Sequence, residues 1–285
     1  MNKLPALAAP PVLNEQSIGK MLGTIRIPPR PSLLSEVQQE LACAEPSPQK
    51  LASIVGQDVA MAGALLKLAN SSFVGMKLKA KSVEQAVMRL GVDQCTLLLT
   101  GLLARESIKI EGMSLTQFWD SSTKRAQAMS HYAKKMTLCR SDVAHIFGLF
   151  SNIGVPLLMI KFPNYQAIVD GELRSGLAPI TQIEDHHFQT NHASLGSLMA
   201  RTWGLPNEIV DAILLHHFYD ALSDQNTGNV VRNLVALALL VDYGIARTAM
   251  PEWEIGGAAV CQYLGISQGE ADDISDEIQQ MFDEV

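Results

Sequence analysis

Ser82-Val83-Glu84-Gln85-Ala86-Val87-Met88-Arg89-Leu90-Gly91 states the local rule that most of the chain follows. A hydroxyl residue followed three positions later by Gln is a capping box, which supplies partners for N–H groups that a first helical turn cannot pair internally. Ala86, Val87 and Leu90 recur at helical spacing, and Gly91 is a stop. The same start pattern is found at Ser114 to Gln117, Thr181 to Glu184 and Ser267 to Glu270. Pro206, after the stop Gly204, reads as a first-turn proline. No run of alternating polar and apolar residues argues for a strand. The patterning therefore predicts an all-α, multi-helical fold.

Working outward, the spacing predicts helices near 31–43, 48–56, 59–70, 83–90 and 93–106, then a longer one near 115–137. Further helices are expected near 141–153, 155–161, 163–171, 182–190, 192–203, 206–218, 228–247, 253–263 and 268–283. The change from short helices to a long one, near Lys109 to Ser114, suggests a boundary. The expected organisation is an N-terminal arm (1–17), an N-terminal helical lobe (18–110) and a C-terminal helical lobe (111–285), the two lobes packed together. In the last helix Ile274, Ile278 and Phe282 share one face, which should pack on the body or on a second subunit, so a homodimer is one expectation. Met88, Met113, Met129, Met136, Met159 and Met199 are read as core fillers.

Of the 285 residues 47% are hydrophobic and 18% charged, enough apolar surface to offset ordering entropy. Net charge is −7, with 22 Lys and Arg against 29 Asp and Glu. Nucleic-acid affinity rests on phosphate neutralisation by basic residues, so no nucleic-acid partner is expected. Cys43, Cys95, Cys139 and Cys261 are far apart and lie among apolar neighbours, the pattern of buried free thiols in a reducing cytoplasm. The longest apolar run, Leu234 to Val241, is short of the ~18 residues of a membrane span, so no membrane partner is expected. No P-loop, GxGxxG or GxSxG element is present.

Three stretches carry a family resemblance. The first combines Ile27-Pro28-Pro29-Arg30-Pro31, Leu51 to Asp58, and Leu65 to Phe73 with Ala69-Asn70-Ser71. The second is Ser82 to Gly91. The third is His192-Ala193-Ser194-Leu195-Gly196, then Trp203-Gly204-Leu205-Pro206 and His216-His217. Over about residues 20 to 250 the chain resembles the HDOD domain, an output-domain relative of the HD metal-dependent phosphohydrolases. The resemblance implies an all-helical fold with an HD-like C-terminal lobe, and a role in bacterial signal transduction, usually without catalysis.

It also implies where metal ligands would stand. The first His position, after Phe118-Trp119, holds Ser121 and Ser122. The His-Asp dipeptide position, after Gly148-Leu149-Phe150, holds Ser151 and Asn152. The distant Asp position, after Ala238, holds Leu239, with Asp242 three residues on. His192, His216 and His217 match positions commonly His in the family, and Glu184 a position often Glu. Ser and Asn are weak, neutral ligands, so a phosphohydrolase centre of the magnesium type lacks its carboxylates. The expected pocket is vestigial: Ser121, Ser151, Asn152, Glu184, His192, His216 and His217, with no cofactor, no catalytic residue and no resident metal. The three histidines alone are the weak metal candidates, suited to a late transition ion.

Adjacent residues on a helix point about 100° apart, so His186-His187 and His216-His217 are each read as one buried and one exposed ring. Asn70, Ser71, Lys77, Lys79 and Arg89 form a candidate ligand or partner contact; for Asn70 and Ser71 a helix-end and turn role is the competing reading. The function expected is a regulatory module binding a signalling protein or a small nucleotide. The alternative is a divergent phosphohydrolase acting on nucleotides or cyclic dinucleotides through Glu184, Asp185, His192 and His216.

Overall fold

The structure is a computed structural model, described at residues 25, 27–28, 30–70, 79–110, 112, 114–175, 179–246 and 250–283. The N-terminal arm, Ser71, Lys77 and Met113 lie outside the described residues. Helices dominate throughout, and no extended strand occurs among the described residues. The chain divides into two compact units, Pro28–Lys109 and Ile110–Val285, the latter taking in Ile27.

The Pro28–Lys109 unit holds α1 (Ser32–Leu41), α2 (Pro48–Gly56), α3 (Val59–Ala69), α4 (Val83–Leu90) and α5 (Val92–Ser107). Ser47 caps α2 by accepting from the Lys50 N–H. Ser82 caps α4 by accepting from the Gln85 N–H at 3.2 Å, while Gln85 Oε1 accepts from Lys81 N–H at 2.9 Å, one residue before the reciprocal partner of a full capping box. Gly91, at φ +81°, ends α4 and opens α5, a conformation that a side chain would strain. The interior gathers Leu34, Val37, Leu51, Val55, Leu65, Ala86, Val87 and Leu99. Met88 is not core filler: it is 55% exposed, because the buried stripe runs through Ala86, Val87 and Leu90 and turns position 88 outward.

Asn70 takes the structural role that its place at a helix end suggests. Its Nδ2 donates to the Ala80 carbonyl at 2.9 Å and its Oδ1 accepts from the Ala80 N–H at 2.7 Å. One amide thus pairs with one peptide group ten residues on and ties α3 to the start of α4. Lys79 and Arg89 are exposed.

The second unit contains α6 (Thr116–Lys135), α7 (Ser141–Phe150), α8 (Gly154–Lys161), α9 (Tyr165–Ser175), α10 (Ile180–Phe188), α11 (His192–Thr202), α12 (Asn207–Leu215), a 3-10 turn (Tyr219–Leu222), α13 (Asn229–Ala246), α14 (Pro251–Leu264) and α15 (Gln268–Asp283). The helix α13 is the axis, with Leu234 to Val241 all buried and α6, α12, α14 and α15 packed around it. The helices α6 and α7 approach closely because position 148 is Gly: a Cβ there would stand 2.7 Å from the Ala126 backbone. Trp203 and Phe150 meet edge to face in the interior. The acidic helix α15 docks on its own chain, with Ala271 and Ile278 fully buried and Ile278 filling the space left by Gly244. Ser267 and Glu270 complete a reciprocal capping box. The starts of α6 and α10 carry no side-chain cap on the residue before them.

Ser141–Lys161 and Asn229–Ala246 are long and apolar enough to cross a membrane by length and composition, which the apolar-run reading missed. They are 72% and 56% buried within the fold, as core helices are. Cys95 is buried, and burial pushes its thiol up to about 12. Cys43, expected inside, is exposed.

His145 on α7 is buried, and burial pushes its imidazole down to about 4 against the opposing influence of the Ala126 backbone and Asp142. A histidine that resists protonation in the folded state stabilises the fold above its unfolded pKa of about 6.5, and that stability drains away as pH falls toward 4, about 3 kcal/mol in all. Urea unfolding should show this acid loss, and His145→Gln should flatten it. Asn70→Ala should cost about 1–3 kcal/mol in the same assay, because two backbone groups of Ala80 lose their partners.

Candidate functional site

The site is assembled inside the Ile110–Val285 unit from helix ends. Asn191 opens α11 with its Oδ1 accepting from the Ser194 N–H at 2.9 Å, which makes His192 the first helical residue. The start of α8 lies so close that a Cβ on Gly154 would stand 2.1 Å from the His192 carbonyl oxygen. The helix α12 ends at Leu215, three residues earlier than the patterning predicts, so His216 and His217 lie in a turn.

That early end corrects the reading of the paired histidines. His216 is 3% exposed and His217 is also largely enclosed, their ring centroids 4.0 Å apart. Outside a regular helix the 100° separation no longer applies, and both rings turn inward. The other pair fails the same reading in the opposite sense: His186 and His187 are both exposed.

One ring nitrogen from each of His192, His216 and His217 lies within 4.8 Å of the others. The Nε2 of His192 is 3.0 Å from that of His217 and 3.3 Å from that of His216. Each remaining nitrogen is engaged from behind. His192 Nδ1 is 2.7 Å from Glu184 Oε2, His216 Nδ1 is 2.6 Å from the Ile213 carbonyl, and His217 Nδ1 is 2.9 Å from Glu252 Oε1. The carbonyl can only accept, so His216 Nδ1 carries the proton. The Glu184 carboxylate likewise accepts from His192 Nδ1, whereas Glu252 and His217 Nδ1 face each other as an ion pair without hydrogen-bond geometry. His192 Nε2 thus lies between the Nε2 atoms of His216 and His217.

Glu184 does not cap α10 as the Thr181 to Glu184 pattern suggests. Its carboxylate accepts from the His192 N–H at 2.9 Å, from the His192 ring and from the Tyr165 hydroxyl. Burial opposes its charge, yet the His192 ring and the bonds from His192 and Tyr165 outweigh burial and hold it below the usual carboxyl range. Glu252 is likewise penalised by burial and held low by His217. In return, His217 rises despite burial because Glu252 faces it. His216 falls well below the usual imidazole value through burial and the neighbouring His217 and His192 rings. Burial and Glu184 push the Tyr165 phenol upward.

A cavity of about 260 Å³ opens on this cluster. Its walls include Arg125, Asn152, His192, His217, Asp242 and Glu252, with Val155, Ile180, Ile245 and Met250 as apolar lining. Arg125 Nε donates to Asp242 Oδ1 at 2.6 Å. The Asn152 amide is 3.2 Å from His216 Nε2.

Of the sequence-predicted site, the structure brings together Asn152, Glu184, His192, His216 and His217. Ser121 is exposed on α6, and one turn on Arg125 takes the place beside the cavity. Ser151 is buried with its hydroxyl directed at the Gly148 carbonyl, 3.4 Å away. Leu239 is packed in the interior. Sequence reasoning missed Arg125, Tyr165 and Glu252. Glu252 follows Pro251 and reads as an ordinary acidic first-turn residue, since nothing local indicates that it reaches a histidine 35 positions earlier.

The HDOD domain family model matches residues 27–219. The chain belongs to the HDOD family. An uncharacterized protein of Treponema pallidum (strain Nichols) is 25% identical to this HDOD chain over 196 residues, 67% of the chain and 37% of that relative, so the match spans little more than a third of the relative's length. Solved structures share the fold. A candidate phosphohydrolase from Shewanella amazonensis SB2B superposes with a TM-score of 0.69 at 18% identity, covering 95% of both chains. An HDOD domain protein of unknown function from Geobacter sulfurreducens gives 0.68 at 18%, covering 94% of both. A candidate signal-transduction protein from Marinobacter aquaeolei VT8 gives 0.65 at 22%, covering 89% of this chain and 57% of that one.

The HD relatives imply a divalent phosphohydrolase centre, and this HDOD site does not fit one. Magnesium-type ions require carboxylate and carbonyl oxygens. Here the converging donors are three imidazole nitrogens and one amide, while Glu184, Glu252 and Asp242 are engaged by His192, His217 and Arg125.

Tyr165→Phe should leave a buried carboxylate oxygen of Glu184 short of a donor and cost about 1–3 kcal/mol of unfolding free energy. Gly154→Ala should cost about 2 kcal/mol or more, because the added methyl meets backbone and not a mobile side chain. Chemical denaturation with circular dichroism checks both.

Proposed function

We propose that this HDOD protein is a non-hydrolytic regulatory module that relays a signal by binding a partner protein. The donor set carries this reading. Hydrolysis at an HD-type centre needs an ion that lowers the pKa of a bound water while the protein supplies charged oxygen ligands. At the position expected to offer an aspartate, Asn152 offers a neutral amide, and Asp242 is neutralised by Arg125 at 2.6 Å. The helices that carry those positions are tightly packed, which suits a scaffold used for binding.

The signal-transduction description of the Marinobacter aquaeolei relative agrees with a regulatory role. A bacterial cytoplasm suits the four free thiols. Incubation of the purified chain with nucleotides or cyclic dinucleotides, in magnesium or manganese, should release no product above a protein-free control. Metal-dependent turnover that disappears in His216→Ala would overturn the proposal.

A further inference from the structure

Arg125 and Asp242 meet on the wall of the cavity and only half satisfy each other. Their side chains are 12% and 19% exposed, so both charges are largely withdrawn from water. An enclosed ion pair needs further hydrogen bonds for the protons and lone pairs left over, and arginine–carboxylate pairs are commonly two-pronged. Here the contact is single: Arg125 Nε donates to Asp242 Oδ1. Among the described residues nothing else bonds to either side chain, so the two terminal guanidinium nitrogens and Asp242 Oδ2 are left over. Both residues line the cavity, which offers these groups to whatever occupies it. Val155, Ile180, Ile245 and Met250 give the same cavity an apolar wall.

We propose that the cavity is a binding site for a small α-amino acid with an aliphatic side chain. Its carboxylate accepts from the terminal nitrogens of Arg125, its ammonium donates to Asp242, and its side chain lies against the apolar wall. Arg125 and Asp242 touch, so a ligand that serves both must carry opposite charges close together, and an α-amino acid carries them about a single carbon. A simple carboxylic acid would leave Asp242 unserved, and a simple amine would leave Arg125 so. The volume of about 260 Å³ is below the ~300–1,000 Å³ usual for drug-sized ligands, which tells against a nucleotide. A phosphate ester would also bring negative charge beside Glu252, which lines the same cavity and already has His217 as its charge partner. The ligand would bridge α6, α13 and the starts of α8 and α10. Binding to the folded state alone stabilises that state, so occupancy is a signal that needs no turnover. It gives the regulatory module a small-molecule input, whichever partner the module serves.

The test uses the full chain, dialysed free of amino acids, with L-leucine, L-isoleucine, L-valine and L-methionine as probes in calorimetry and thermal melting. At least one should bind at one equivalent and raise the melting temperature. The analogues of that amino acid lacking the ammonium or lacking the carboxylate should each bind about 10-fold more weakly or worse. Arg125→Gln combined with Asp242→Asn retains a neutral contact of similar shape. This double variant should lose affinity by about 10-fold or more while circular dichroism shows a retained fold. No saturable binding by any of the four amino acids overturns the proposal. So does an analogue that binds as well as the parent, affinity unchanged in the double variant, or displacement of the amino acid by an equal concentration of a nucleoside monophosphate. If the double variant fails to fold, the two analogues decide the matter on the wild-type chain. The non-hydrolytic reading stands or falls by turnover, so failure here leaves it intact.

Discussion

The contact between the Glu184 carboxylate and His192 is the constraint on which the site depends. Glu184 is fully buried, so each of its oxygens must be hydrogen-bonded or the fold bears the desolvation of a charge. The ring and backbone N–H of His192 and the hydroxyl of Tyr165 meet that need. None can move without stranding the others, so α9, α10 and the start of α11 are locked to one another. Glu252, from α14, faces His217 as a charge partner 2.9 Å away. The imidazoles are therefore held from behind, with their inner nitrogens turned toward the cluster.

The packing that makes this possible is made of small residues. Gly154 lets the start of α8 lie against the backbone of His192, and Gly148 lets α7 approach α6. Each close approach excludes side-chain volume at one position and is repaid by apolar burial on either side. The scaffold is thus stiff at the points from which the site is built.

Charge sets this pocket apart from the magnesium-type centre that the HD resemblance implies. Such centres concentrate acidic ligands around a cation. In this chain Arg125 neutralises the nearest aspartate, and an asparagine amide stands where a second acid would be. The carboxylates Glu184 and Glu252 stand behind the imidazoles of His192 and His217.

Local rules made the helices legible. The Ser82 to Gly91 and Ser267 to Glu270 signals act within one turn, and the structure places helices where they point. His192, Glu184 and Asn152 could be singled out from their order and neighbours. The approach of His216 and His217 to one point could not, because it depends on α12 ending at Leu215 and not three residues later. Glu252, Tyr165 and Arg125 were invisible for a related reason: each meets its partner across the fold, where no spacing rule reaches. For Asn70 the sequence offered both a helix-end role and a ligand contact, and in the structure both amide atoms pair with Ala80. Sequence alone determined the helical class, most helix positions and the family, since caps, stops and apolar periodicity are encoded by near neighbours. Tertiary packing decided which polar groups are buried together, because only burial compels a carboxylate to find an imidazole.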